Sequence, residues 1–564
     1  MILEEIKSKI AAVLNLSKAD FSYPPKMEMG DLSLACFEIA KNQASSPVKV
    51  AEELAQVALT SEELKGYFSL VEPKGPYLNF FIDPGFLAQH VLGEVGRLKG
   101  RYGSNDVGAG KKVMIEYSNG NTHKEYHVGH MRNISYGDTI SRLMSASGYD
   151  TIPVSYINDF GIHVAKTIWF WINNPEYQNR PEPKGYLLGQ CYAEASKSLA
   201  ADPSKKEEVV KIMKQIESRL GDNYQTWKET RLWSINYFDK IYDELGVRFK
   251  DTFYESQVTD RGLQIVADLK ERGILKLSQG AIIADLEKYG LGVLPIIRSD
   301  GTALYPVADL ALAGLKFEKY NLDESVYVVD IRQALYFKQL FKLLELSGET
   351  RKCLQLSYDF VTLPEGMMAS RTGNVITYQE LRDKVYQKAV EETVERHKDW
   401  SKSKIAAVAK TLTIATIKFE MLKVSPDKTI TFNIDEALRF DGYTSCYLEY
   451  GYARLSSIIR KNGFSFKLQK LDPSLLVERK ERELLIKIAK YPKIVWLARQ
   501  NYNPSEITKY LFELVQMSND YYHGVNILKA EPNVRLARIT LIKAIIQVLD
   551  NGFALLGIEA LKEM

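Results

Sequence analysis

Apolar residues recur at helical spacing from the first turn of the chain, at Ile2, Ile6, Ile10, Val13 and Leu14, and this run stops before a Pro24-Pro25 turn. Gly75-Pro76 then leads into Tyr77 to Ile82, which reads as a strand, so the first hundred residues or so predict a small α+β unit closed by a glycine-rich link near Gly100 to Gly110. From Lys112 the period changes. Val113 to Tyr117 reads as a buried strand, a loop and a helix follow to about Ser147, Gly148 stops the helix, and Thr151 to Ile157 reads as a second strand. Strand, helix, strand at this spacing is the unit of a parallel sheet. Residues from about 172 to 250 predict a mostly helical insertion, and the α/β pattern is expected to resume at Ala281 to Ala284, Val326 to Val329 and Leu356 to Leu363. Beyond about Ser401 strand signals fade. Long periodic segments at Leu484 to Arg499, Pro504 to Tyr522 and Val534 to Leu556 predict an all-helical C-terminal domain.

Composition changes this picture little. A chain of 564 residues is too long for one core, so two to four domains are expected. The 74 basic and 71 acidic residues nearly cancel, so net charge alone argues only weakly for a polyanionic partner, although the C-terminal domain carries a mild basic excess suited to phosphate contact. Cys36, Cys191, Cys353 and Cys446 lie far apart without C-x-x-C spacing, which speaks against a zinc ribbon or a disulfide framework and fits a reducing cytoplasm. The N-terminus lacks a basic stretch followed by an apolar block, and no apolar run approaches the roughly 20 residues that span a bilayer, so neither secretion nor membrane insertion is expected.

Candidate chemistry concentrates in Glu116 to Arg132, between the first strand of the parallel sheet and its helix. His127-Val-Gly-His130 places two imidazoles and a glycine at a helix N-terminus, where backbone N–H groups and the helix dipole attract anions, so phosphate is the natural ligand. Two other readings stand beside it. A zinc site would need a third protein ligand, and none is evident nearby. A purely structural arrangement would have His127 cap the helix and His130 bond the backbone.

These residues resemble the class I aminoacyl-tRNA synthetases, whose ATP site opens with an H-x-G-H motif. Other adenylyl-transferring enzymes share that motif, so the flanking residues decide. Glu116, Ser118, Asn121 and Lys124 ahead of His127 are similar to the arginyl family's E-x-S…N-x-x-K-x-x-H signature. Arg298 to Tyr305 with Asp309 resembles its arginine segment, and Gln333 lies in a stretch similar to its Q-D-L-H block. Tyr447 to Arg454 and Val534 to Ala560 look like its helical anticodon-binding domain, and Pro24-Pro25 with Gly30-Asp31 looks like its extra N-terminal domain.

The resemblance implies a multidomain α/β plus all-α protein: an additional tRNA-contacting domain at 1–104, a Rossmann-like parallel-sheet catalytic domain with a helical insertion at 105–430, and a helical-bundle anticodon-binding domain of the DALR type at 431–564. It implies an arginine–tRNA ligase that forms arginyl-adenylate from L-arginine and ATP with Mg²⁺, then esterifies tRNA(Arg). A cytoplasmic monomer is expected, whose activation step needs bound tRNA. A synthetase-like RNA-binding or regulatory paralogue is the alternative.

Within the resemblance, Asp309 is the expected partner of the guanidinium, because a carboxylate accepting two parallel bonds suits that planar cation. Tyr305, four residues earlier, shares its face if the segment is helical. Asn121 and Gln333 could bind the α-amino and carboxylate ends, Ser118 joins the arginine site through the signature, and Glu116 could face the substrate cation or merely an internal arginine. His127, His130 and Lys124 are the expected catalytic residues, with Gly129, Met368, Ser370 and Arg371 completing the ATP contacts. The loop Gly366 to Asn374 departs from the family's K-M-S-K-S or M-S-x-R-K-G pattern, since Met367, Ser370 and Thr372 stand where lysines can occur and Arg371 is left as its one cation. Tyr336 likewise stands where histidine is usual. No protein-held metal is expected.

Overall fold

The computed structural model describes residues 2–362, 364, 376–461 and 471–564. The N-terminal unit runs α1 (Ile2–Val13), β1 (Phe21–Ser22), β2 (Leu32–Ala35), α2 (Phe37–Asn42), α3 (Pro47–Thr60), β3 (Phe68–Lys74), β4 (Tyr77–Ile82) and α4 (Pro84–Leu98). Its four strands form an antiparallel sheet in the order β1-β2-β4-β3. The predicted first helix buries Ile2, Ile6 and Ile10, as the spacing requires.

The central domain comprises β5 (Lys112–Glu116), α5 (Val128–Ala146), β6 (Asp150–Ile157), α6 (Ile162–Asn173), α7 (Lys184–Ala201), α8 (Lys206–Glu217), α9 (Asp222–Glu244), β7 (Asp251–Tyr254), α10 (Glu255–Glu271), β8 (Leu275–Ser278), β9 (Ala281–Asp285), β10 (Val293–Ile297), α11 (Tyr305–Tyr320), β11 (Glu324–Asp330), α12 (Ala334–Ser347), β12 (Lys352–Tyr358), β13 (Val361–Thr362), α13 (Tyr378–Arg396), α14 (Lys402–Leu422), β14 (Ile430–Thr431) and α15 (Ile434–Ala437). Five strands form a parallel sheet in the order β12-β11-β5-β6-β7. The central strand β5 is buried on both faces: Val113 and Ile115 join one core and Met114 another. Strand order reverses about β5, the position at which doubly wound sheets open a crevice for ligands. Between β6 and β7 lies the helical insertion α6 to α9. Ala281 to Ala284 does not continue the parallel sheet as expected. It pairs in a separate antiparallel sheet, β10-β9-β8, because the tight turn at Gln279-Gly280 folds β9 straight back on β8.

The C-terminal bundle is α16 (Ser445–Lys461), α17 (Arg479–Gln500), α18 (Ser505–Gly524) and α19 (Pro532–Leu556). By length and composition α19 could cross a membrane, contrary to the expectation that no apolar stretch is long enough. Here it is a bundle core helix: Ile539, Leu541, Ile542, Ile545, Val548 and Leu549 are all buried. The N-terminal unit docks on this bundle through the buried Asp31, which pairs with Arg482 of α17 and accepts the Ile82 backbone N–H.

Helix α5 touches both the parallel sheet and the C-terminal bundle. Arg132 donates to the carbonyls of Ser425, Pro426 and Lys428, and Tyr136 donates to Tyr502 O at 2.9 Å in the turn between α17 and α18. At its far end Asp138 Oδ2 takes Arg142 Nε at 3.0 Å and the fully buried Lys418 Nζ of α14 at 3.3 Å. Lys418 also donates to Gly557 O at 2.8 Å, and Arg142 to Ala554 O at 3.1 Å. Gly557 ends α19 with φ +65°, and a Cβ there would stand 2.6 Å from Lys418 Nζ, so only glycine fits the cap.

Candidate active site

The loop from Tyr117 to Tyr126 joins β5 to α5, and its course is set by contacts from afar. Asn133 of α5 accepts the Ser118 N–H at 2.5 Å and donates to Val328 O of β11 at 2.9 Å, pinning the loop across two adjacent strand ends. Ser118 has φ +59° and is fully buried, and its hydroxyl lies within hydrogen-bond distance of Tyr126 (3.1 Å) and Tyr242 (3.0 Å), while its carbonyl accepts from Ser155 at 2.8 Å. Every polar group of Ser118 is thus engaged internally. Ser118 thereby fixes the course of the loop that carries the other expected site residues. His123 is held the same way, with its N–H on Ser234 Oγ at 3.0 Å and its Nε2 on Thr230 Oγ1 at 2.8 Å, and burial pushes its pKa down to about 3.

His127 is the N-cap of α5. Its Nδ1 accepts the Gly129 N–H at 3.1 Å, and His130 Nδ1 accepts the His127 N–H at 3.1 Å, a reciprocal capping box built from two imidazoles. Capping by His127 and a phosphate site are therefore compatible rather than competing readings. With both Nδ1 atoms accepting, the proton of each neutral ring sits on Nε2, where it can be donated to a ligand. Burial, then Arg332 and Lys124, hold His127 down to about 4, and burial followed by His127 and Lys124 holds His130 well below its ordinary value. Both rings are neutral donors at pH 7, so positive charge at this end comes from Lys124 and the helix dipole. A Cβ on Gly129 would lie 3.0 Å from the His127 ring and disturb the cap. Beside this end, the described chain resumes: Ile376 O accepts the Val128 N–H, His127 bridges to Thr377, and Thr377 with Glu380 caps α13 as the sequence predicts. Met368, Ser370 and Arg371 lie outside the described residues.

Asp309 projects from the first turns of α11 at the carboxyl ends of the parallel strands, with Tyr305 one turn earlier, two-thirds exposed at the rim. Its carboxylate accepts the Tyr336 hydroxyl of α12. The neighbouring Glu116 does not present a free carboxylate. It is buried in an ion pair with the fully buried Lys316, so of the two partners expected for it, the substrate cation and an internal arginine, the structure supplies an internal cation, which is a lysine. Asn121 is held between strand ends by its bridge to Asn158, and Gln333 is exposed after β11.

One further carboxylate escaped the sequence reading. Glu255, directly after β7, lies close enough to Asp159 and Asp309 that each raises its pKa, and with burial as the largest cause it is pushed up to about 8. Asp309 is pushed up to about 7 by burial first, with Glu116 adding and the Tyr336 hydrogen bond and Lys316 opposing. Asp159 is already matched by Arg231 and Ser256. A half-buried pocket with two carboxyls holding protons near neutral pH is short of a cation. A bound cation lowers both pKa values, so binding is strongest above about pH 8 and weakens as pH falls through 7 toward the bound-state values, by up to about tenfold per unit for each group. The KM of a cationic substrate measured between about pH 6 and 9 should rise on the acid side, with proton release on binding seen by calorimetry in two buffers. A KM that stays flat or falls on acidification contradicts this.

Among the described residues no cluster of three His, Cys, Asp or Glu side chains could hold a metal.

Comparison with known proteins agrees with this geometry. Residues 96–433 match the family model for the class I (R) tRNA synthetase catalytic domain, residues 448–564 the DALR anticodon binding domain, and residues 1–82 the arginyl tRNA synthetase N-terminal domain. The arginine–tRNA ligase of Bdellovibrio bacteriovorus is 36% identical over 552 residues, covering 96% of this chain and 93% of the relative. That of Halothermothrix orenii is 33% identical, covering 96% and 95%. The Thermus thermophilus arginyl-tRNA synthetase structure superposes over all of both chains with a TM-score of 0.82 at 24% identity, a likeness of fold.

Proposed function

The chain belongs to the class I arginyl-tRNA synthetases and is an arginine–tRNA ligase, and from that premise we propose how its residues divide the reaction. The observation that carries the arginine assignment is the pair of enclosed carboxyls, Asp309 and Glu255, close enough that Asp309 raises the Glu255 pKa and short of a matching cation.

Asp309 and Glu255 take the guanidinium, with Tyr305 covering it from the rim. Asn121 and Gln333 reach the α-amino and carboxylate groups, which places the carboxylate toward α5. Its oxygen attacks the α-phosphorus of ATP, the bond from that phosphorus to the β-phosphate oxygen breaks, and pyrophosphate leaves with the electron pair. The nucleophile is already ionised, so no general base is required. The Nε2–H groups of His127 and His130 donate to phosphate oxygens, Gly129 leaves room for the nucleotide, and the N-terminal dipole of α5 with Lys124 stabilises the growing charge. Mg²⁺ arrives with ATP and neutralises its phosphates. Met368, Ser370 and Arg371 are the remaining ATP ligands of this reading. Transfer RNA lies across residues 1–104 and 431–564, the first contacting its body and the second its anticodon, and the ligase acts as a cytoplasmic monomer.

The test is pyrophosphate exchange over the twenty amino acids, with and without tRNA. Arginine alone should support exchange, and only when tRNA is present. Exchange at full rate without tRNA would overturn the proposed coupling, and exchange with another amino acid would overturn the pocket assignment.

A further inference from the structure

Lys124 has a neighbour of the same charge. Lys166, one turn into α6, places its Nζ 3.8 Å from the centre of the Tyr192 ring of α7, and Lys124 Nζ lies 4.8 Å from the same centre. Lys166 also donates to Ser196 Oγ at 2.7 Å, and Ser196 donates to Tyr192 O at 2.7 Å, so α7 fixes the second ammonium from two sides. Both lysines are half-buried. Among the described residues neither has a carboxylate partner, although most charged side chains this enclosed are paired. The other titratable groups facing the pair, His123, His127, His130 and His163, are all held neutral by burial and contribute no compensating charge. A ring shared by two cations offsets less than the cost of enclosing two adjacent ammonium groups.

We propose that Lys124 and Lys166, held by Tyr192, form a two-cation seat for the β- and γ-phosphates of ATP, and so for the departing pyrophosphate. The seat rests on the reading of Lys124 as a phosphate ligand and adds to it a second ligand from the helical insertion. It lies on the H-x-G-H side of the nucleotide, whereas the loop at 366–374 has only Arg371 to offer. Pyrophosphate takes the bonding electrons from the α-phosphorus and keeps them, and both lysines remain protonated throughout. Burial first, and then Lys124, push Lys166 down to about 8 in the free enzyme. A bound polyanion raises that value, so the Lys166 contribution is complete below about pH 8 and fades as pH rises through the bound-state pKa.

The experiment is steady-state pyrophosphate exchange with arginine and tRNA present, on the full chain and on Lys166→Met, Lys166→Arg and Lys124→Met. Lys166→Met should raise KM for pyrophosphate about 10- to 100-fold, with KM for arginine within about twofold of wild type, the scale of one lost charge-assisted contact. Lys166→Arg should retain pyrophosphate affinity and hold it at alkaline pH where the wild type loses it, because guanidinium does not titrate there; a merely structural lysine would not produce that change in pH profile. An unchanged pyrophosphate KM in Lys166→Met, with Lys124→Met impaired, overturns the seat alone. If Lys124→Met is also unimpaired, the phosphate role of Lys124 fails with it. A rise confined to KM for tRNA would assign the pair to an RNA phosphodiester and overturn the proposal as well.

Discussion

Asp309→Ala should abolish arginine-dependent pyrophosphate exchange while leaving ATP binding intact. The wild type should reject citrulline by about 10⁴-fold or more, the range found where a site built on hydrogen bonds meets an analogue that cannot complete them. The reason lies in the pocket. Asp309 and Glu255 share an enclosed space in which burial already works against their charged forms, and a neutral ureido group leaves both without a cation. Tyr336 contributes by donating to Asp309 and orienting its carboxylate, so Tyr336→Phe should weaken arginine binding far less than loss of Asp309 itself. Normal arginine affinity in Asp309→Ala, measured by calorimetry, would remove Asp309 from the site.

Lys124→Met should slow adenylate formation by about 10²- to 10³-fold, the scale of losing one preorganised contact to charge that develops in the transition state. The two histidines cannot make up the loss, because both are neutral and each spends its Nδ1 on the α5 cap. Lys124 is the cation that acts on both rings, and among the described residues no carboxylate competes for it. Single-turnover formation of arginyl-adenylate, with arginine and ATP saturating, isolates the step. A rate within threefold of wild type would show that the charge is met from elsewhere.

The proposed phosphate end of the site was legible in the sequence because its signals are local. H-x-G-H, the capping box at Thr377 and Glu380, and the periodicity of α5 all act within a turn or two. The arginine end was readable only in outline. Tyr305 and Asp309 share a helix and therefore a face, but what surrounds them comes from distant segments. Glu116 meets Lys316 two hundred positions later, and Ser118 meets Tyr242 across 124, so neither pairing leaves a trace in spacing. Glu255 was concealed because β7 is only four residues long and sits at the end of the helical insertion, where no alternation announces a strand. Its position directly after a parallel strand was the available signal, since ligands of such sheets gather at the carboxyl ends. The short β8-β9-β10 sheet was misread for a related reason: an apolar run of four looks the same in a parallel and an antiparallel ladder.

The contacts at the far end of α5 also bear on how this chain can be altered. Asp138, Arg142 and Lys418 lie in the stretch matched by the catalytic family model and Gly557 in the stretch matched by the anticodon-binding one, yet a single buried charge cluster joins them. Removing Asp138 strands the buried Lys418 without its counter-charge, at a cost of about 3–5 kcal/mol. The four positions are therefore one unit of inheritance spread over two domains. A chimera that imports a relative's C-terminal bundle keeps its catalytic helix in place only if the donor's cap at 557 and the host's residues at 138, 142 and 418 were selected together.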